Sequence, residues 1–327
     1  MASAFPDSTV TMVSVIIVNY NGLRFLEPCL RSLRSAFVGY PFEVVVVDNA
    51  STDGGREWLR TCPDIIYLAL PRNLGFAEGN NLGARLASGE RLLFINNDTV
   101  VNSLLDPLID RLEDPGLGIA GCRLLYGDGR QQFSFGYHHT PTRLLLSWLG
   151  MEKLHSLPKV FRRHETDGAK YLRPHERVDW VSGACFAVRR QVWEQVGGFD
   201  ERFFMYCEDV DLCLRVRQAG FRIGYSADVT VTHFEGAGRP WIGVAALRRT
   251  TRSYLLYLRK HYGAVATLVV SVLLGLIFMS RAIAFGLTAI VPGETREVRQ
   301  EKARGFRDVA WSLMTSFGRS GLDFVQR

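Results

Sequence analysis

The chain alternates short apolar runs with amphipathic stretches. VSVIIVNYN (13–21) is β-branched, ends in polar residues and predicts a buried strand. Leu23, Leu26, Leu30 and Leu33 then recur at helical spacing. FEVVVVDNAS predicts a second strand with a polar end, Asp53-Gly54-Gly55 a turn, REWLRTC a helix start and IIYLAL a third strand. Residues 77–87 read as helix and ERLLFINND as a fourth strand. Nearly all-apolar strands separated by helices imply an α/β fold with a mainly parallel sheet covered on both faces.

Further on, 104–112 reads as helix and 119–126 as extended. Residues 116–121 match GxGxxG, but they follow a helix and open a strand, the reverse of a dinucleotide fingerprint. Residues 127–178 are polar, basic and irregular and read as a long mobile insertion. VDWVSGACFAVRR predicts strand, turn and strand. RRQVWEQVGG predicts a helix closed by glycine.

From 264 to 280 the chain is uncharged and mostly aliphatic. These seventeen residues fall short of the about 20 that span a bilayer. One reading is a core helix. The basic amphipathic stretch before it, ALRRTTRSYLLYLRKHYG, favours membrane contact instead. Both flanks are rich in Arg and Lys, which places both in the cytoplasm and favours a peripheral, monotopic or re-entrant arrangement over a single span.

Composition refines this. The 327 residues are 47% hydrophobic, enough for a large core, and the net charge is only +6. That surplus is concentrated late: no acidic residue lies between Glu235 and Glu294, where Arg239, Arg248, Arg249, Arg252, Arg259, Lys260 and Arg281 fall. A surplus this small does not by itself imply nucleic acid. The six cysteines form no CxxC pair, which excludes zinc-ribbon and thioredoxin readings and suits a reducing cytosol. The first twelve residues show no secretory signal pattern.

Three predicted strands end in polar clusters: Asn19-Tyr20-Asn21, Asp48 to Gly54, and Asn96-Asn97-Asp98. Each alone is ordinary turn chemistry. All three at carboxyl ends of neighbouring strands suggest a ligand crevice. No phosphate-cradling glycine loop is present, which weakens an ATPase reading. Glu208-Asp209 sits among Phe203, Phe204, Met205 and Tyr206. Desolvation there would raise carboxyl proton affinity and suit a general base, although two acids also suit any helix start. Asp211 and Arg215, four apart, are placed to pair.

VIIVNYN, DNASTDG, RNLGFAEGNNLGAR, FINNDT, WVSGACFAVRR and GGFDERFFMYCEDVDLCLRVRQAG, in this order, resemble the motif series of family-two glycosyltransferases, closest to the bacterial rhamnosyltransferase-like branch. The resemblance runs from about residue 13 to 234 and more weakly to 262. It implies a GT-A nucleotide-diphospho-sugar transferase domain over 1–240, with a nucleotide half at 13–100 and an acceptor half at 101–240, followed by a membrane-associated helical region at 241–327. It implies that Tyr20 stacks on a pyrimidine, Asp48 accepts the base N–H and Arg72 meets the diphosphate. Asn19, Asn21, Asn49, Ser51, Asp53, Asn73, Gly75, Asn80, Asn96 and Asn97 complete the donor crevice. Asp98 resembles the last Asp of the DxD motif that holds Mg²⁺ or Mn²⁺. Asn96 replaces the first Asp, which suits it better to ribose or phosphate, and His233 is a further metal or diphosphate ligand. Asp209 is the implied base with Glu208 in support, and Trp180, Gly183, Ala184 and Arg215 the acceptor wall.

The resulting expectation is an inverting transferase that moves a sugar, with dTDP-rhamnose the favoured donor. Its acceptor would be a polyprenyl-diphosphate-linked glycan at the cytoplasmic membrane face, in cell-surface polysaccharide assembly. A UDP- or GDP-hexose donor, a nucleotidyltransferase and a non-catalytic sugar-nucleotide binder are the rivals. A homo-oligomer is compatible with the sequence.

Overall fold

The computed structural model describes residues 11–151, 158–234, 243–289 and 296–315. In chain order the strands are β1 (Val13–Asn19), β2 (Phe42–Asp48), β3 (Ile66–Ala69), β4 (Arg91–Ile95), β5 (Thr99–Val101), β6 (Leu117–Leu125), β7 (Phe135–Gly136), β8 (Trp180–Val181), β9 (Cys185–Arg189) and β10 (Arg222–His233). The helices are α1 (Leu23–Leu33), α2 (Gly55–Leu59), α3 (Phe76–Leu86), α4 (Asp106–Asp110), α5 (Pro141–Trp148), α6 (Arg190–Val196), α7 (Glu208–Gln218), α8 (Gly243–Thr288) and α9 (Arg296–Thr315).

Eight strands form one sheet in the order β3-β2-β1-β4-β9-β6-β10-β5, and β7 pairs with β8 apart from it. The first four strands are all parallel, as expected. The other half is mixed: β9 runs antiparallel between β4 and β6, and β5 antiparallel to β10. The period-two alternation of strand side chains divides the core between the faces. Val15 and Ile17 join Leu26 and Leu30 of α1 on one face, whereas Ile16 and Phe94 join Ala77 and Ala84 of α3 on the other. Gly83 lets α3 lie close, since a β-carbon there would come within 2.6 Å of Ile16. The parallel register brings the carboxyl ends of β1, β2 and β4 to one edge.

The described residues of 127–178 are built into the fold, which corrects the expected mobile insertion. Tyr171 is fully buried against Phe135 and Tyr225, and its hydroxyl donates to the Glu165 carbonyl at 2.7 Å. Thr140 caps α5, which packs on α8. Dispersed aromatic anchors replace periodicity here, so the pattern hides the order.

α8 is broken at Gly263, whose dihedrals are non-helical. Its first half is part of the main core through Tyr254, Tyr257 and Leu258. Its second half packs Val270, Leu274 and Phe278 with Phe306, Val309 and Leu313 of α9. Val265, Val269, Leu276, Ile283 and Leu287 remain exposed. Among the described residues, α8 is the one helix long and apolar enough to cross a membrane.

Candidate active site

The three polar strand ends meet, and Asn19 is their knot. Its amide donates to Asp48 Oδ2 and Ser51 Oγ, both at 3.1 Å, and its Oδ1 accepts from Asn97 Nδ2 at 2.7 Å. Asn21 Oδ1 accepts from the Thr52 N–H, and Asp53 Oδ2 from the Leu23 N–H. Asp48 has no exposed surface; it also accepts from Ser51 N and from Arg56 Nε at 2.8 Å. Burial alone would raise its pKa, but the bonds from Ser51, Arg56 and Asn19 outweigh this and hold it below its ordinary value. Asp48 is thus enclosed as a structural node, and this arrangement leaves it no surface for the expected base contact. Tyr20 is half-exposed at the rim, with its ring available.

Asn49, also buried, fixes the neighbouring loop: its Oδ1 accepts from the Leu74 N–H at 2.7 Å and its Nδ2 donates to the Gly75 carbonyl at 2.8 Å. Asn73 Oδ1 accepts from the Gly75 N–H, and Asn80 Nδ2 donates to the Phe76 carbonyl. Arg72 stands exposed on this loop. Gly75 has φ +90, and a β-carbon there would fall 2.3 Å from the Phe204 carbonyl oxygen. That oxygen accepts from the Phe76 N–H at 2.7 Å, so the donor-side loop and the segment leading into α7 are locked together.

Asp98 lies just beyond β4, and β10 pairs with β5 so that His233 faces Thr99. His233 Nε2 comes 3.2 Å from Asp98 Oδ1 and 3.1 Å from Asn96 Nδ2, while Nδ1 meets Gln132 Oε1 at 3.0 Å. With Gln132 accepting, the proton sits on Nδ1, and the Nε2 lone pair, which here accepts from the Asn96 amide, also faces a carboxylate oxygen, so that a cation bound between them would displace the amide. Two acceptors converging in this way suit a cation, and the outer hydrogen bond is the usual partner of a metal-binding imidazole. Asn96 Oδ1 is buried beside them without a partner. Among the described residues no cluster of three His, Cys, Asp or Glu occurs. The pair therefore fits a divalent ion that takes its other ligands from phosphate oxygens, as Mg²⁺ commonly does.

Asp209 stands at the start of α7. Its Oδ2 accepts from the Gly183 N–H at 2.9 Å and its Oδ1 from the Val210 N–H at 2.8 Å. Desolvation raises its pKa despite these bonds. Glu208 is buried, with Oε2 unpartnered; desolvation and then the Asp209 charge push it well above its ordinary value. The turn before them is strained, since Tyr206 (φ 73) and Cys207 (φ 66) are both left-handed. Asn21 (φ 50) and Ala50 (φ 70) are the other left-handed non-glycine residues described, so all four lie at this site. Ala184 spans the two halves: its carbonyl accepts from the Asn96 N–H at 3.0 Å, next to Gly183 on Asp209.

Two expected acceptor residues sit elsewhere. Trp180 is 5% exposed and its indole N–H is satisfied by the Tyr137 carbonyl, so it packs the β7–β8 layer and forms no open wall. Arg215 pairs with Asp211 at 2.7 Å and donates to the Val196 and Gly198 carbonyls, which makes it a brace for α7. Asp211 is the hub of that brace. Lys260 and His261 of α8 reach its Oδ1 at 2.7 and 2.8 Å.

Sequence pattern alone does not single out three supports of the site. Gln132 sets the His233 tautomer. Asn81 grips the Phe199 backbone through two 2.9 Å bonds and so ties α3 to the loop before α7. Lys260 and His261 anchor α7 from a distant helix. Asn81 lies beside Asn80 in RNLGFAEGNNLGAR, and Lys260 and His261 lie in ALRRTTRSYLLYLRKHYG, whereas Gln132 falls in no pattern.

The chain is similar to known proteins in sequence and fold. Residues 14–197 match the family description Glycosyl transferase family 2, and residues 150–313 match Glycosyl transferase family group 2. An O-antigen biosynthesis protein of Myxococcus xanthus is 30% identical over 267 residues, 75% of this chain but only 20% of that protein, so the chain spans a fifth of that relative's length. The N-acetylglucosaminyl-diphospho-decaprenol L-rhamnosyltransferase of Mycobacterium tuberculosis is 30% identical over 275 residues, covering 77% of this chain and 86% of that one. Among solved structures, a Pyrobaculum calidifontis mannosyltransferase in complex with GDP-Man and Mn²⁺ superposes with TM-score 0.56 at 18% identity, over 95% of this chain and 89% of that one. The fold is the GT-A fold.

Proposed function

The chain belongs to glycosyltransferase family 2, and from that membership we propose an inverting transferase that moves L-rhamnose from a pyrimidine nucleotide-diphosphate donor to a polyprenyl-diphosphate-linked glycan. One observation carries the chemical part: a desolvated Asp209, bridged through Gly183 and Ala184 to the strand end that bears Asn96 and Asp98. Asp209 takes the proton of an acceptor hydroxyl. The oxygen attacks the anomeric carbon, the bond from that carbon to the diphosphate oxygen breaks, and the nucleoside diphosphate leaves with the electron pair. Attack opposite the leaving group inverts the centre. Tyr20 and the exposed edge of Asn21, Thr52 and Asp53 hold the nucleoside, and Arg72 faces the diphosphate, where fixed positive charge stabilises the departing group. A divalent ion, Mg²⁺ or Mn²⁺, held by Asp98 and His233 would supply further charge neutralisation there.

The rhamnose and lipid-carrier parts are supported by the name of the Mycobacterium relative. A membrane-surface position on the cytoplasmic side is supported by the exposed aliphatic stripe of α8 and its basic flank. In this reading the expected division at 240 shifts to the break at Gly263: the first half of α8 belongs with the catalytic unit, and its second half with α9 forms the membrane-facing one. A panel of dTDP-, UDP- and GDP-sugars offered with a polyprenyl-diphosphate-linked acceptor tests the donor. Preferential turnover of dTDP-rhamnose is expected, and preference for a UDP- or GDP-hexose would overturn the rhamnose assignment.

A further inference from the structure

A cavity of about 540 Å³ opens beside the catalytic segment, away from the strand-end crevice. Phe204, Val244 and Ala245 form its apolar wall, and Arg248, Arg249 and Arg252 of α8 supply its charge. Arg249 lies over the Phe204 ring at 5.5 Å. Arg248 reaches a carboxylate, Asp308, only at 3.9 Å, and among the described residues none lies in ion-pair range of Arg249 or Arg252. Three guanidinium groups within five residues of helix, one of them partly buried, repel one another, and among the described residues two of them, Arg249 and Arg252, have no carboxylate partner. Such forks suit phosphate oxygens.

Position narrows the anion. Phe204 is the residue whose carbonyl binds Phe76 N, and Phe76 reaches within 3.6 Å of the space a Gly183 β-carbon would fill, beside Asp209. Phe204 and Phe76 thus stand between this cavity, whose far wall is α8, and the base. Arg248 also lines a neighbouring cavity with Arg307 and Trp311, whose ring is 64% exposed. Asp308 pairs with both of these arginines, and an exposed indole beside them suits an interfacial anchor. The same helix then carries the exposed stripe of Val265, Val269 and Leu276.

We propose that Arg248, Arg249 and Arg252, with Phe204, form the binding site for the diphosphate of a membrane-borne acceptor, holding its lipid toward the bilayer and its sugar toward Asp209. This inference rests on the reading of a lipid-linked acceptor given above.

The test uses the full chain and the double variant Arg249→Ala/Arg252→Ala, with Arg249→Lys/Arg252→Lys as its charge-retaining partner. Binding is measured without donor, to phosphatidylcholine vesicles doped with a polyprenyl diphosphate and to vesicles matched in charge with phosphatidylserine. The alanine pair should lose roughly tenfold in affinity for the diphosphate vesicles, about 1.4 kcal/mol, and much less for the phosphatidylserine vesicles. The lysine pair should retain most binding, and donor hydrolysis should be unchanged. Equal loss on both vesicle types would reduce the cluster to general surface charge and overturn the proposal. So would free inorganic diphosphate or a nucleoside diphosphate competing as well as the lipid. Arginine-dependent vesicle binding by a wild type that glycosylates no lipid-linked acceptor would support the cavity while removing the acceptor reading. Undiminished vesicle binding by the alanine pair would remove the cavity alone.

Discussion

Gly183 donates its backbone N–H to Oδ2 of Asp209 across 2.9 Å, a bond that joins the turn between β8 and β9 to the start of α7. It orients the carboxylate without neutralising it, because a backbone donor carries no full charge. Burial dominates, and the proton affinity of Asp209 stays raised. A base must be deprotonated to act, so kcat/KM should rise with pH through an acid limb displaced above the ordinary aspartate value of about 3.9. The measurement is kcat/KM against pH at saturating metal. A limb at or below the ordinary value would mean that Asp209 is not desolvated in the working enzyme.

The Asp98–His233 pair predicts metal dependence with a specific outer contribution. Chelation should abolish transfer, and added Mn²⁺ or Mg²⁺ should restore it. His233→Ala should raise the Mn²⁺ concentration needed for half-maximal binding. Gln132→Ala should do the same by on the order of tenfold, since it frees the imidazole tautomer. Mn²⁺ binding followed by electron paramagnetic resonance reads this directly. An unchanged affinity in Gln132→Ala would show that its 3.0 Å contact with His233 orients nothing.

Gly75→Ala tests the lock between the donor loop and the catalytic segment. The residue has φ +90 and an added β-carbon would meet the Phe204 carbonyl oxygen at 2.3 Å, so the loop must shift. The variant should lose more than about 1 kcal/mol of stability and show a raised donor KM through displaced Arg72. Urea denaturation and donor kinetics check both.

Glu208 predicts a pH-dependent stability. Its folded pKa is raised, so its contribution is fully present below the unfolded carboxyl value and is lost as pH rises through the folded one. Glu208→Gln removes that dependence. The variant should match wild type in acid and exceed it in stability at neutral pH, as read by denaturation midpoints across pH. An identical pH profile in both proteins would show that Glu208 is ionised without cost.

How much of this was legible follows from how local each feature is. β1, β2 and β4 end in amides and acids directly after apolar runs, so the crevice could be read from order alone. Residues such as Asn19 and Asn49 belong to it, but as buried braces: a sequence motif marks the place and does not distinguish a ligand contact from the scaffold beneath it. Asp48 and Arg215 illustrate this, each being saturated by partners 3 to 29 positions away in the chain. The Asp98–His233 approach depends on β10, an unpredicted strand whose residues include Ser226 and Asp228 and whose pairing with β6 is interrupted between Ser226 and Thr230. Gln132 lies in a stretch with no period, and its role exists only through a contact 101 residues distant.

The most direct measurement is transfer of labelled rhamnose from dTDP-rhamnose into a polyprenyl-linked glycan fraction, with and without divalent metal, by wild type and Asp209→Asn. The account predicts metal-dependent transfer by wild type and a loss of at least about a hundredfold in the variant, the low end for a general base. Comparable transfer by both proteins would contradict the assignment of Asp209 as the base.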